Sequence, residues 1–188
     1  MFHTDEEKEL KGWYKRRSLP HYDSDKVYQF ITFRLHDSVP QEVMDHSVYE
    51  LSLEPETTDN KNNYKRQKLQ ENIFKYEDKG YGECYLKNPA IFQIVEETFI
   101  KFDKIKYDLI EWVIMPNHVH VLIRPLEGQS LSKIIQSWKT YTARKANEIL
   151  NRKGEFWMKD YYDRYIRNEQ HFLNVIRYIQ NNDKEKDR

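Results

Sequence analysis

Residues 112–123, Trp-Val-Ile-Met-Pro-Asn-His-Val-His-Val-Leu-Ile, constrain the fold of this chain more than any other stretch. An apolar run reaches Met115, Pro116-Asn117 interrupts it, and a second apolar run carries His118 and His120 with one valine between them. A Pro-Asn pair between two such runs suits a tight connection between antiparallel strands. Side chains two apart on a strand share a face, so both imidazoles project from one side, near a sheet end that ligand can reach. Imidazole nitrogen suits divalent ions, and two ligands alone leave the ion's identity open. The pair is therefore a two-toothed metal clamp or a structural feature of an apolar strand.

Elements that could complete a sheet and cover it lie on both sides of this hairpin. Residues 27–35 alternate and are rich in β-formers, which predicts a first strand. Asn88-Pro89 opens a helix with Ile91, Ile94, Val95, Phe99 and Phe102 at helical spacing, and proline is harmless in a first turn. Strands are expected at 107–115 and from His118 to Arg124. Ser130 is the expected N-cap of a helix reaching about Asn151. Its apolar stripe reads Leu131, Ile134, Ile135, Trp138, Tyr141, Thr142 and Ile149, and Lys133, Ser137, Thr140 and Arg144 fall on another face. Residues 156–166, aromatic and basic, suit a fourth strand. Asn168 should cap a last helix that docks through Phe172, Val175, Ile176 and Ile179. On that helix His171, Tyr178 and Asn182 lie within roughly 40° of one another, beside the apolar stripe. Tyr178 and Asn182 are one turn apart and can address one target together.

A length of 188 residues predicts a single domain over 1–188, with a basic and aromatic arm at 1–26, a charged helical insertion at 41–80 and a frayed tail at 183–188. The arm grips a nucleic-acid backbone or lies across the domain with Trp13 buried. The formal net charge is zero, but it is unevenly divided. Residues 1–100 carry 14 Lys/Arg against 19 Asp/Glu, and residues 101–188 carry 17 against 12, so the basic half also holds the histidines. A phosphate-binding face needs only such local charge. Cys84 is the only cysteine, which excludes a disulfide framework and a cysteine-based zinc site. With no apolar leader and no membrane-length stretch, the expected location is cytoplasmic and nucleoid-associated, with no membrane partner.

Several ordered blocks of the chain closely resemble one family: the Met115-Pro-Asn-His-Val-His120 stretch with the strand before it, Gly82-Glu-Cys-Tyr-Leu-Lys-Asn-Pro89, Phe156-Trp157 with Asp160-Tyr-Tyr-Asp-Arg-Tyr-Ile-Arg167, and Arg177-Tyr-Ile-Gln-Asn-Asn182. They resemble the single-tyrosine transposases of the His-hydrophobe-His superfamily, above all the branch called REP-associated tyrosine transposases. The likeness runs from Trp13 to Asn182. It implies an α+β fold, a ferredoxin-like four-stranded antiparallel sheet with helices on one face, and cleavage of single-stranded DNA folded as hairpins. It assigns the paired histidines to His118 and His120, the nucleophilic tyrosine to Tyr178 and the third metal ligand to Asn182.

The implied chemistry is metal-dependent endonuclease and strand-transfer activity. Mg²⁺ or Mn²⁺ would sit on His118, His120 and Asn182, and attack by Tyr178 would leave a 5′-phosphotyrosine and a free 3′-hydroxyl. Lys133, Arg144, Arg164, Arg167, Arg16 and Arg17 are the candidate DNA-binding residues. His171 orients or deprotonates Tyr178, or is a surface histidine; Tyr161, Tyr162 and Tyr165 are rival phenols. Relatives occur as monomers and as dimers, so a homodimer is one of two expected states. The alternative is a noncatalytic DNA-binding protein on the same fold, and a third reading is a metallohydrolase that uses the histidines to activate water.

Overall fold

The computed structural model describes residues 12–16, 19–40, 43 and 79–185. The expected insertion at 41–80 lies almost wholly outside them, as do Arg17 and residues 186–188.

Two strands, β1 (Gly12–Arg16) and β2 (Leu19–Asp23), pair as an antiparallel hairpin, so the arm has regular structure over these described residues. Four more form one antiparallel sheet: β3 (Gln29–Arg34), β4 (Tyr107–Ile114), β5 (His118–Pro125) and β6 (Tyr162–Tyr165), in the order β4-β5-β3-β6. Three helices complete the described fold: α1 (Pro89–Ile100), α2 (Leu131–Ile149) and α3 (Glu169–Glu185). Chain order and strand order together give the ferredoxin-like α+β arrangement.

The two central strands are buried along nearly their whole length, so both sides of the sheet must be covered. Alternation sorts the residues. Ile31, Phe33, Val119, Val121 and Ile123 point to one face, where they meet Ile91, Val95 and Phe99 of α1 and Leu131, Ile135 and Trp138 of α2. Phe30, Leu122 and Val113 point to the other, where α3 packs Val175 and Ile179 on them. Helices therefore cover both faces, and the expectation of one covered face holds only for α1 and α2. This matters for function, because His118 and His120 share the parity of Leu122 and so lie beneath α3.

Local chemistry sets the ends of these elements. Asn88 Oδ1 accepts a hydrogen bond from Ala90 N at 3.0 Å, capping α1 ahead of Pro89. Ser130 occupies the N-cap position of α2, but its side chain makes no cap bond there. Asp23 does that work from β2: Leu131 N donates to Oδ1 at 2.8 Å and Ser130 Oγ to Oδ2 at 2.7 Å. A carboxylate at a helix N-terminus also complements the helix dipole. Asn168 Oδ1 accepts from His171 N at 2.8 Å, as its N-cap assignment predicts, and α3 runs to Glu185 where a tail was expected from 183.

The β1–β2 hairpin is fastened by a buried charge cluster. His21, fully buried, has Nδ1 hydrogen-bonded to Asp163 of β6 and Nε2 at 3.3 Å from Asp160, and its ring lies 4.3 Å from that of Tyr161. Burial pulls the imidazole pKa down, but the bonds to Asp160 and Asp163 outweigh it and raise it to about 9. A folded-state pKa above the unfolded value of about 6.5 stabilises the fold fully below pH 6.5. That contribution declines as pH rises and is gone above about pH 9. Urea unfolding should therefore show wild-type stability falling by roughly 2–3 kcal/mol across this interval. Asp163→Asn should be destabilised at pH 6.5 and have a flatter profile; equal slopes for the two proteins would contradict the assignment.

Candidate active site

β5 begins at His118, so both imidazoles stand at the hairpin end of a central strand, on the face beneath α3. Their Nε2 atoms approach to 3.1 Å, and both rings are fully buried. Each Nδ1 is held from behind. His118 Nδ1 bonds Asn117 Oδ1 at 2.8 Å, and His120 Nδ1 bonds Thr32 Oγ1 at 2.7 Å. Asn117 is oriented in turn, since its Nδ2 donates to Tyr81 O at 2.9 Å. Its Oδ1 can only accept, so His118 carries its proton on Nδ1 and presents a bare Nε2 lone pair to His120.

Gly82 makes this bracing possible. It has φ +91°, and a Cβ there would lie 2.7 Å from Asp37 O, so only glycine lets the 81–83 turn lie against Asp37. Leu35 N donates to Asn117 O at 2.8 Å and Leu86 N to Pro116 O at 3.2 Å, which ties the hairpin turn to two neighbouring segments.

Both imidazoles are held neutral. Burial lowers His118 to about 3, with the Arg34 guanidinium adding to the effect. Burial also puts His120 well below its ordinary value, with His118 contributing. Neutral rings with paired Nδ1 atoms are the form in which histidine binds a metal ion.

The third group comes from α3. Tyr178 Oη is 3.3 Å from His120 Nε2, and the phenol stands edge-on to that imidazole with ring centroids 5.1 Å apart. It is 36% exposed, so one side rests on the site and the other meets solvent. One turn later Asn182 is 8% exposed, and its Nδ2 donates to Tyr178 O at 3.1 Å, leaving its oxygen as the donor atom available to a cation.

The rival phenols are placed otherwise. Tyr161 is buried on the α1–α2 side of the sheet and bonds Tyr14 Oη at 3.1 Å; burial pushes its pKa far up. Tyr165 pairs with Gln29, on the face away from α3, and packs on Tyr22. Tyr162 shares the histidine face, but Thr32 lies between it and His120 in the register. His171 is occupied elsewhere: Arg167 N donates to its Nδ1 at 3.3 Å, in the first turn of α3.

The candidate DNA-binding residues divide. Arg164 lies opposite Phe30 and so shares the α3 face, and Arg167 follows with its guanidinium 5.4 Å from the Tyr165 ring. Lys133 and Arg144 lie on the outward side of α2, across the sheet from the histidines, where they line a shallow depression with Gln136, Ser137, Thr140 and Tyr141. Arg16 is described only as a β1 residue. Sequence reasoning missed Thr32 and Arg34. They pair with His120 and His118, and only the β3–β5 register shows it.

A family profile described as "Transposase IS200 like" matches residues 84–182, which is 99 of the 188 residues. The chain belongs to the IS200-like transposase family. The matched segment holds the histidine pair, Tyr178 and Asn182, and begins after β3, which supplies Thr32 and Arg34. An uncharacterized protein of Haemophilus influenzae is 31% identical to this family member over 106 residues, covering 43% of the chain and 56% of that protein. The fold resembles the structure of a REP-associated tyrosine transposase bound to a REP hairpin, with a TM-score of 0.50 and 15% identity over 92% of this chain and 72% of the other.

Family membership raises the question of a divalent ion, and the donor set fits one. Among the described residues no group of three or more His, Cys, Asp or Glu is arranged around a cation, so the ligands would be two imidazoles and an amide. The two Nε2 atoms share a hydrogen bond at 3.1 Å, and with Thr32 accepting from His120 Nδ1 instead, both Nε2 lone pairs become available to a cation. His118, His120 and Asn182 would hold the ion, and a set of imidazole nitrogen and amide oxygen donors is compatible with Mn²⁺ or Mg²⁺.

Proposed function

We propose that this protein is a metal-dependent endonuclease and strand-transferase for single-stranded, hairpin-forming DNA, with Tyr178 as nucleophile. The observation that carries the reading is the convergence of three groups from two distant parts of the chain: Tyr178 Oη lies 3.3 Å from His120 Nε2, which lies 3.1 Å from His118 Nε2. A half-exposed phenol beside two neutral, braced imidazoles has few structural uses. It has an evident chemical one. The REP hairpin held by the structurally similar transposase supports a DNA hairpin as the partner here as well.

His118, His120 and Asn182 would hold Mg²⁺ or Mn²⁺, which when bound supplies Lewis-acid polarisation of a phosphate oxygen. The chain's own residues do the rest. α3 holds the phenol at the phosphate, so attack needs no large rearrangement. Thr32 and Asn117 fix the imidazole rings, and Phe30, whose ring centroid is 5.4 Å from that of His120, helps keep water from the buried side. The Tyr178 Oη–P bond forms as the P–O3′ bond breaks, and the phenol's proton ends on the departing 3′ oxygen. One phosphoester replaces another, so a second 3′-hydroxyl can reverse or redirect the step without ATP. All the groups belong to one chain, which supports a site complete within a single protomer. Among the described residues no helix is long and apolar enough to cross a membrane.

Strand polarity tests the reading. Hairpin oligonucleotides with randomised single-stranded flanks, incubated with the protein and Mn²⁺, should give a denaturation-resistant adduct that keeps a 3′ label. The 5′-labelled fragment should run free and be extendable by a polymerase. Binding without cleavage would leave a noncatalytic DNA-binding protein, and a free 5′-phosphate without adduct would indicate water as the nucleophile.

A further inference from the structure

β3 ends at Arg34, directly opposite His118 in the β3–β5 ladder. Directly paired residues of antiparallel strands project from the same face with Cβ atoms about 4.5–5.5 Å apart. Arg34 therefore rises beside the histidine pair, on the face that also carries Thr32 and Tyr178. Its position is fixed from two sides: Met158 N donates to Arg34 O at 2.8 Å, and the next residue, Leu35, donates its N–H to Asn117 O at 2.8 Å. The turn that orients His118 thus also anchors the end of β3.

A guanidinium on the face of a cation site keeps its charge and repels a divalent ion. An anion lying between the two positive groups is attracted by both. A phosphodiester can lie there, with one non-bridging oxygen for the ion and the other for the planar N–H fork of an arginine. We propose that Arg34 contacts the scissile phosphate of the DNA, holding a non-bridging oxygen while Tyr178 attacks. This inference rests on the cleavage reading above. Arg34 gives and takes no proton and forms no covalent bond. It balances the charge that gathers on the phosphate oxygens as the new P–O bond forms and the old one breaks.

Charge balance gives the test opposite signs that a structural residue would not produce. Calorimetry with Mn²⁺ and DNA-free protein should show Arg34→Gln binding the ion as tightly as wild type, or up to ~10-fold more tightly, because a repelling charge has gone. The same variant should form the covalent adduct with hairpin oligonucleotide at least ~100-fold more slowly. A methylphosphonate at the linkage cleaved by wild type removes the negative charge that Arg34 balances, so the gap between the two proteins should narrow to about threefold or less. An Arg34→Gln protein that loses Mn²⁺ affinity along with activity, or keeps the full deficit on methylphosphonate, would overturn the proposal. A wild type that binds the hairpin and never cleaves it would sink the cleavage reading alone. Arg34 would then be judged by affinity for the hairpin in Mn²⁺: a loss of ~10-fold or more in Arg34→Gln supports the contact, and a change within about twofold refutes it.

Discussion

Tyr178→Phe should abolish the covalent protein–DNA adduct, lowering its rate of formation by ~10⁴-fold or more, while the fold and the affinity for Mn²⁺ should survive. Only Oη is removed. The ring still stands edge-on to Phe30 and His120, at centroid distances of 6.0 and 5.1 Å, so its packing is retained. The lost hydrogen bond to His120 is long and partly solvent-exposed, and a surface change of this kind shifts stability by about 0.5 kcal/mol or less. The chemistry has no such reserve, because Tyr178 is the phenol that reaches His120 Nε2, while Tyr161 and Tyr165 lie on the opposite face of the sheet. Rate measurements, unfolding curves and calorimetry on the same preparation check all three parts. An adduct that persists in this variant would move the nucleophile elsewhere, Tyr162 being the first to examine.

His120→Gln should be nearly as damaging through a different step. The buried imidazole would contribute one Nε2 to the proposed cation site and hydrogen-bonds Tyr178, so one change would remove a ligand and a neighbour of the phenol. Mn²⁺ affinity measured by calorimetry should fall ~100-fold or more, and adduct formation at fixed Mn²⁺ ~10³-fold or more. Glutamine keeps much of the side-chain volume, which limits the cavity that alanine would leave in a fully buried position. High Mn²⁺ should restore part of the rate in this variant and none of it in Tyr178→Phe. Equal rescue of the two would contradict the division of labour between ligand and nucleophile.

What could be read from the sequence followed the strength of its punctuation. Pro116-Asn117 and the flanking apolar runs defined β4 and β5 to within a residue, and Asn88-Pro89 and Asn168 marked the starts of α1 and α3. Where side chains from afar decide, the reading slipped. The expected fourth strand, 156–166, pairs as a strand only at Tyr162–Tyr165. Trp157 forms an isolated bridge to Leu35, and Lys139 Nζ takes the carbonyls of Met158, Lys159 and Asp160. Tyr141 and Ile149, placed in the α2 core stripe, are each 42% exposed, and Ala146 is buried in the α2 core instead. A 100° step leaves such flank positions undecided until the packing partner is known.

The site shows the same division. His118 and His120 announce themselves by a local motif, and Tyr178 with Asn182 by helical spacing and by resemblance. Thr32 and Arg34 belong to an ordinary-looking strand more than eighty residues away, and only pairing brings them to the histidines. Lys133 and Arg144 illustrate the converse. Their spacing marks a polar face of α2, but spacing cannot tell which side of the sheet that helix covers.

The most direct measurement is to locate the DNA on the protein. Arg177 and Lys184 flank Tyr178, so tryptic digestion of the trapped adduct isolates residues 178–184. Mass spectrometry should find a 5′-phosphonucleotide on that peptide, with the added mass on its single tyrosine. An adduct on a peptide from 160–167, or cleaved DNA with no peptide attached, would contradict the account.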